Sequence, residues 1–133
     1  DDATVRGFLH SHSYTGNALA CRAALATLDI FEEDKVLETN VVRAQMLAAA
    51  LAPLADHPNV RYLRQRGMII AFDVDTDDAR FSHRFYRAAL EREALTRPIG
   101  RTVYLMPPYI VSDEEIAHLG RAVAGALEAS LRS

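Results

Sequence analysis

Val60-Arg61-Tyr62-Leu63-Arg64-Gln65-Arg66-Gly67-Met68-Ile69-Ile70-Ala71-Phe72-Asp73-Val74 is the stretch whose reading decides the fold. Val60 to Leu63 is short and rich in residues that favour extended backbone, Arg66-Gly67 interrupts it as a turn or a bulge, and Met68 to Val74 is a near-continuous apolar run bounded by acidic turn residues. Two strands joined this tightly read as an antiparallel pair. On the N-terminal side, Gly16 to Ala55 is rich in Ala and Leu, with Leu19, Ala23, Leu28, Phe31, Val36, Val42, Met46 and Leu54 at mixed three- and four-residue spacings, the mark of helix. Glu32-Glu33-Asp34 is a plausible break, so the stretch predicts two consecutive helices. Pro53 and Asp56-His57-Pro58-Asn59 end the second one.

On the C-terminal side, Asp77 to Ala94 places Phe81, Phe85, Ala88 and Ala89 on one face and Arg and Glu on the other, predicting an amphipathic helix that covers the sheet. Thr96-Arg97-Pro98 is a short extended piece, and Thr102 to Met106 is a further strand candidate that Pro107-Pro108 must terminate. Ser112 followed by Glu115 is a capping box ahead of Ile116, Leu119, Val123 and Leu127, the apolar spacing of a last helix. The order helix, helix, strand, strand, helix, strand, helix predicts an α/β (α+β) two-layer sandwich: a small, mainly antiparallel sheet with helices on one face, preceded by long paired helices.

The chain has 133 residues, room for one domain with a real core. Half of its residues are hydrophobic and a quarter charged, with a net charge of −3 and scattered arginines, so nothing resembles the basic stripe of a nucleic-acid binder. Cys21 stands alone in an alanine-rich helical stretch, which excludes a disulfide framework and predicts a buried, inert thiol in a reducing cytoplasm. No apolar run approaches a membrane span, and Asp1-Asp2-Ala3 shows neither a signal-peptide charge pattern nor an initiator methionine, so the chain reads as part of something longer.

Two constellations carry chemistry. In His10-Ser11-His12-Ser13-Tyr14-Thr15-Gly16-Asn17, hydroxyls, a glycine and backbone donors gather at the mouth of a helix, where amides and dipole both favour a phosphate. The same residues also suit a plain helix-capping loop. His10 and His12 alternate as in some zinc sites but lack a third and fourth ligand at a familiar spacing, so no metal site is expected. In Arg97-Pro98-Ile99-Gly100-Arg101-Thr102-Val103-Tyr104-Leu105-Met106-Pro107-Pro108-Tyr109, an arginine beside a proline can fork onto a carboxylate while a tyrosine seven residues on adds a hydroxyl. A surface arginine beside an edge strand is the competing reading. His57, His83 and His118 have no identifiable partner, and neither a Gly-x-Ser-x-Gly elbow nor a histidine paired with Cys21 is present, so no catalytic nucleophile is assigned.

Phe8-Leu9-His10-Ser11-His12-Ser13-Tyr14-Thr15-Gly16-Asn17-Ala18-Leu19-Ala20-Cys21 resembles the class III aminotransferase segment H-G-x-T-F/Y-x-G-N/H-P-L-A-C, with Ser11 in place of Gly, Ser13 of Thr and Ala18 of Pro. The second constellation fits R-P-x-G-x-x-V-Y-x-M-P-P-Y, the pattern of the branch of that class acting on 8-amino-7-oxononanoate in biotin biosynthesis. The resemblance implies a fold-type I enzyme dependent on pyridoxal 5'-phosphate, a cytoplasmic homodimer with active sites at the subunit interface. Residues 1–15 would end the large domain and carry the cofactor phosphate loop, and 16–133 would be the C-terminal domain with its leading helices. The backbone at His12 and the hydroxyl of Ser13 would bind the cofactor phosphate of the neighbouring subunit, Arg97 would hold the substrate carboxylate and Tyr104 would line the substrate pocket. The family's Schiff-base lysine belongs to the large domain, and Lys35 matches no such motif, so this chain alone would be inactive. The amino donor is adenosylmethionine in most of that branch. The alternatives are another class III transaminase acting on an ω-amino substrate and a non-catalytic α/β interaction module.

Overall fold

The structure, a computed structural model, describes residues 12–132. The sequence readings at Phe8 to Ser11, including His10, lie outside the described residues. The chain divides into two compact units, one ending at Val36 and the other beginning at Leu37.

In the first unit, α1 spans Ala18–Glu33. Asn17 caps it, its side chain accepting the amide hydrogen of Ala20, and the amide of Asp34 closes the last turn on the carbonyls of Glu32 and Ile30. Lys35 then takes a left-handed conformation with φ of 48°, which ends the helix at the predicted break. None of the described residues of α1 is buried. Cys21 is exposed, contrary to the buried thiol predicted from composition. Alanine and leucine signal a helix but not a surface for it to pack on, and Leu19, Leu25, Leu28 and Ile30 are exposed with it.

In the second unit the elements are α2 (Val36–Leu51, its first residue belonging to the unit before), a 3-10 turn (Ala52–Asp56), β1 (Val60–Arg66), β2 (Ile69–Val74), α3 (Phe81–Leu90), β3 (Thr102–Leu105) and α4 (Asp113–Leu131). The sheet order is β1-β2-β3 and both pairings are antiparallel. Val60 faces Val74, Phe72 faces Val103 and Ile70 faces Leu105, and all six side chains point to one face because the strand period is two. That face is buried against Leu47 and Leu51 of α2, Phe81, Phe85 and Ala89 of α3, and Ile116, Val123 and Leu127 of α4. Each such large side chain stabilises the unit by roughly 1.5–3 kcal/mol. Ala71, Asp73, Thr102 and Tyr104 occupy the opposite face, where Asp73 binds Arg64 at 3.2 Å and Thr102 at 2.8 Å.

Three details differ from the sequence reading. The helix expected over Asp77 to Ala94 is only α3, because the Asp78 carboxylate accepts the Arg80 amide in a local turn and the Ala94 amide closes on Ala89 with Glu93 left-handed at φ of 58°. Thr96-Arg97-Pro98 forms no strand; the following residues make a tight turn in which Ile99 bridges Thr102, with Gly100 at φ of 59°. Arg66-Gly67 is the turn of its two readings, and an additional bulge that the sequence did not show lies at Tyr62, at φ of 53° where the register shifts between Arg61 and Arg64. Gly120 of α4 packs tightly on α2, where an added Cβ would stand 2.9 Å from the carbonyl oxygen of Ala50.

Candidate functional site

The loop before α1 is built from its own polar groups. The His12 amide donates to Thr15 Oγ1 at 2.9 Å, the Thr15 amide returns to the His12 carbonyl at 2.9 Å, and the Asn17 amide donates to Tyr14. Gly16, at φ of 79°, makes the turn possible. Thr15 and Asn17 are therefore spent on the loop and the cap, whereas the Ser13 hydroxyl is exposed and has no partner among the described residues. A free hydroxyl ahead of the N-terminus of a 16-residue helix is a donor set that fits a phosphate.

In the second unit, Arg97 and Tyr104 line one cavity of about 440 Å³. The segment between α3 and β3 holds Arg97: its neighbours Ala94 and Thr96 are buried, and Pro98 fixes the backbone that follows. Tyr104 is held by β3, opposite Ala71. Leu95, Leu105, Met106 and Pro107 supply apolar wall, and α4 adds Glu115 and His118. Arg61, Arg64 and Arg84 pair with Asp75, Asp73 and Asp78, but the guanidinium of Arg97 makes no hydrogen bond or ion pair among the described residues. Arg97 is exposed, shares this cavity with Glu93 and Glu115, and also borders a smaller cleft with Ser82, His83 and Tyr86.

The structure thus brings two of the expected site residues, Arg97 and Tyr104, to one cavity, while His12 and Ser13 belong to the other unit. Sequence reasoning missed Thr96, whose buried hydroxyl lacks a partner at the cavity wall. It also passed over His118, set aside as one more helix histidine, because only the packing of α4 brings it there. Glu115 is engaged in the capping box, and the Ser112 amide and hydroxyl hold its carboxyl below the usual glutamate range. Among the described residues no three His, Cys, Asp or Glu side chains gather as a metal site, and no helix is long and apolar enough to cross a membrane.

A family profile, aminotransferase class-III, matches residues 2–127. The adenosylmethionine-8-amino-7-oxononanoate aminotransferase of Helicobacter pylori is 46% identical over 92% of this chain and 29% of its own length. The crystal structure of the enzyme of that name from Methanocaldococcus jannaschii superposes with a TM-score of 0.82 at 29% identity, over 96% of this chain and 31% of that one. A six-fold mutant of a thermostable omega transaminase from Pseudomonas jessenii gives a TM-score of 0.84 at 26% identity, over 98% and 31% of the two chains. The chain spans under a third of the length of each of these relatives.

Proposed function

The chain belongs to the class III aminotransferases, and from that membership we propose that it is the substrate-binding C-terminal part of an enzyme that aminates 8-amino-7-oxononanoate to 7,8-diaminononanoate in biotin biosynthesis. The class depends in general on pyridoxal phosphate, which when bound supplies the electron sink for amino-group transfer. This chain's residues bind and orient. The Ser13 hydroxyl and the backbone at His12 take the phosphate end of the cofactor in the neighbouring subunit of a homodimer, and the N-terminus of α1 adds favourable potential there. Arg97 takes the substrate carboxylate through two parallel hydrogen bonds. The Tyr104 hydroxyl helps to orient the bound acid, and the apolar wall at Leu95 and Met106 accommodates its methylene chain and excludes water. Residues 1–15 close the large domain in this reading, and 16–133 form the C-terminal domain. Adenosylmethionine is the proposed amino donor, and the cytoplasm the proposed compartment.

The observation that carries the proposal is the unpaired guanidinium of Arg97 in the cavity that Tyr104 shares. The test is amination of 8-amino-7-oxononanoate by the full-length, cofactor-loaded protein with adenosylmethionine as donor. Formation of 7,8-diaminononanoate supports the reading. A protein that binds pyridoxal phosphate and turns over other ω-amino substrates but not this one would place it elsewhere in class III.

A further inference from the structure

On α3, Ser82 stands four residues before Tyr86 and His83 three before it, spacings that put the three side chains on one side of the helix. With Arg97 and Pro98 they line a cleft of about 270 Å³ beside the larger cavity that Arg97 and Tyr104 share. The polar part of the lining is a set of hydrogen-bond donors: two hydroxyls, an imidazole ring and a guanidinium. None of the four side chains makes a hydrogen bond or ion pair among the described residues. The described lining contains no carboxylate, whereas Glu93 and Glu115 both border the larger cavity. Asp78, just ahead of α3, is already spent on the Arg80 amide at 2.8 Å and the Arg84 guanidinium at 3.2 Å. Ser82 and Tyr86 are half-buried while His83 and Arg97 are exposed, so the cleft is open to a small solute.

Unpartnered donors converging without an acid among them fit an oxyanion, because a bond to an ionised acceptor is about twice as strong as a neutral one and a planar guanidinium offers two parallel N–H groups. We propose that this cleft is an oxyanion subsite, in which a phosphate or carboxylate group is held by Arg97, the His83 ring and the hydroxyls of Ser82 and Tyr86. Arg97 borders both spaces, so an anion in the cleft draws on the guanidinium that the keto acid needs, and the two compete. The competition rests on the substrate role proposed for Arg97; the subsite does not.

The test uses the full-length, cofactor-loaded protein, so that the site for the cofactor's own phosphate is filled, with inorganic phosphate and acetate as probes and the ionic strength held constant with chloride. Calorimetric titration reads binding directly. The parent should bind at least one probe, the tighter of the two identifying the group the cleft prefers, and His83→Ala and Tyr86→Phe should each weaken that binding by at least about fivefold. His83 is exposed and Tyr86→Phe removes only a hydroxyl, so both variants keep the fold, which a thermal melt without anion checks. In turnover, the anion at a concentration equal to its Kd should raise the parent's KM for the keto acid about twofold with kcat unchanged, and should leave the KM of either variant nearly unmoved. A parent that binds neither probe, or variants that bind as tightly as the parent, overturns the subsite. Binding without any rise in KM, or competition that persists undiminished in both variants, overturns the sharing of Arg97. A parent that binds the anion as described but does not aminate 8-amino-7-oxononanoate sinks the enzyme assignment and leaves the subsite standing.

Discussion

Arg97 owes its position to what flanks it, a buried Thr96 and a Pro98 that restricts the backbone, and its guanidinium makes no ion pair or hydrogen bond among the described residues. If it forks onto a carboxylate, lysine cannot replace it, because a point charge on a flexible stem does not reproduce two parallel bonds. Arg97→Ala and Arg97→Lys should each lower the specificity constant of the keto-acid half-reaction by about 30- to several-thousand-fold in the full-length enzyme, equivalent to roughly 2–5 kcal/mol, with fold and cofactor binding spared. A change within a factor of about three, measured by single-turnover kinetics, would mark Arg97 as ordinary surface. Ser13→Ala should weaken cofactor affinity by about 1.5–3 kcal/mol, the value of a bond to an ionised group, and a titration of apoenzyme with pyridoxal phosphate reads it. Unchanged affinity would leave the loop as a helix cap. That Arg97 and Tyr104 line one cavity could be anticipated because they sit in a contiguous motif. Thr96 was not, since burial of a hydroxyl without a partner depends on what packs over it.

The best-read element is the start of α4, because its signal is local. Ser112 and Glu115 are three residues apart, and in the structure the Glu115 carboxylate accepts the Ser112 amide at 2.7 Å while Ser112 Oγ accepts the Glu115 amide at 3.2 Å. Ser112→Ala should cost about 0.5–2 kcal/mol by chemical denaturation at neutral pH. The backbone bond to Ser112 lowers the Glu115 pKa, so its stabilising contribution is present above the unfolded-state value and is lost as pH falls through the lowered folded value. Between parent and Glu115→Gln, the stability difference should therefore shrink on acidification; a difference that stayed constant down to strongly acidic pH would contradict the capping box. The other elements were read in kind but not in extent. α3 is shorter than its amphipathic pattern, because the Asp78 turn at one end and left-handed Glu93 at the other compete with helix. The bulge at Tyr62 left no trace in the alternation of residues.

At the scale of the molecule, the element order could be written down from periodicity and turn residues, but which faces meet could not. The closeness of α2 and α4 shows why. Gly120 reads as a weak point inside a helix, yet an added Cβ would lie 2.9 Å from the Ala50 carbonyl oxygen and 3.0 Å from the Ala50 Cβ, backbone that cannot swing aside. Gly120→Ala should therefore destabilise the second unit by about 1–3 kcal/mol in spite of alanine's better helix propensity. A variant at least as stable as the parent in urea would mean that the helices do not cross this tightly.

Lys35, the chain's one lysine, stands with φ of 48° between α1 and α2, one residue before the boundary of the two units. Within these 133 residues a lysine-specific endoprotease thus has a single bond to cut, and that bond joins a helix with no fully buried residue to a unit that contains the apolar core of the described residues. Brief digestion should release one resistant fragment beginning at Val36. Its mass, followed over time, would show whether the second unit keeps its structure once the first has been severed; rapid loss of the fragment would mean that it does not.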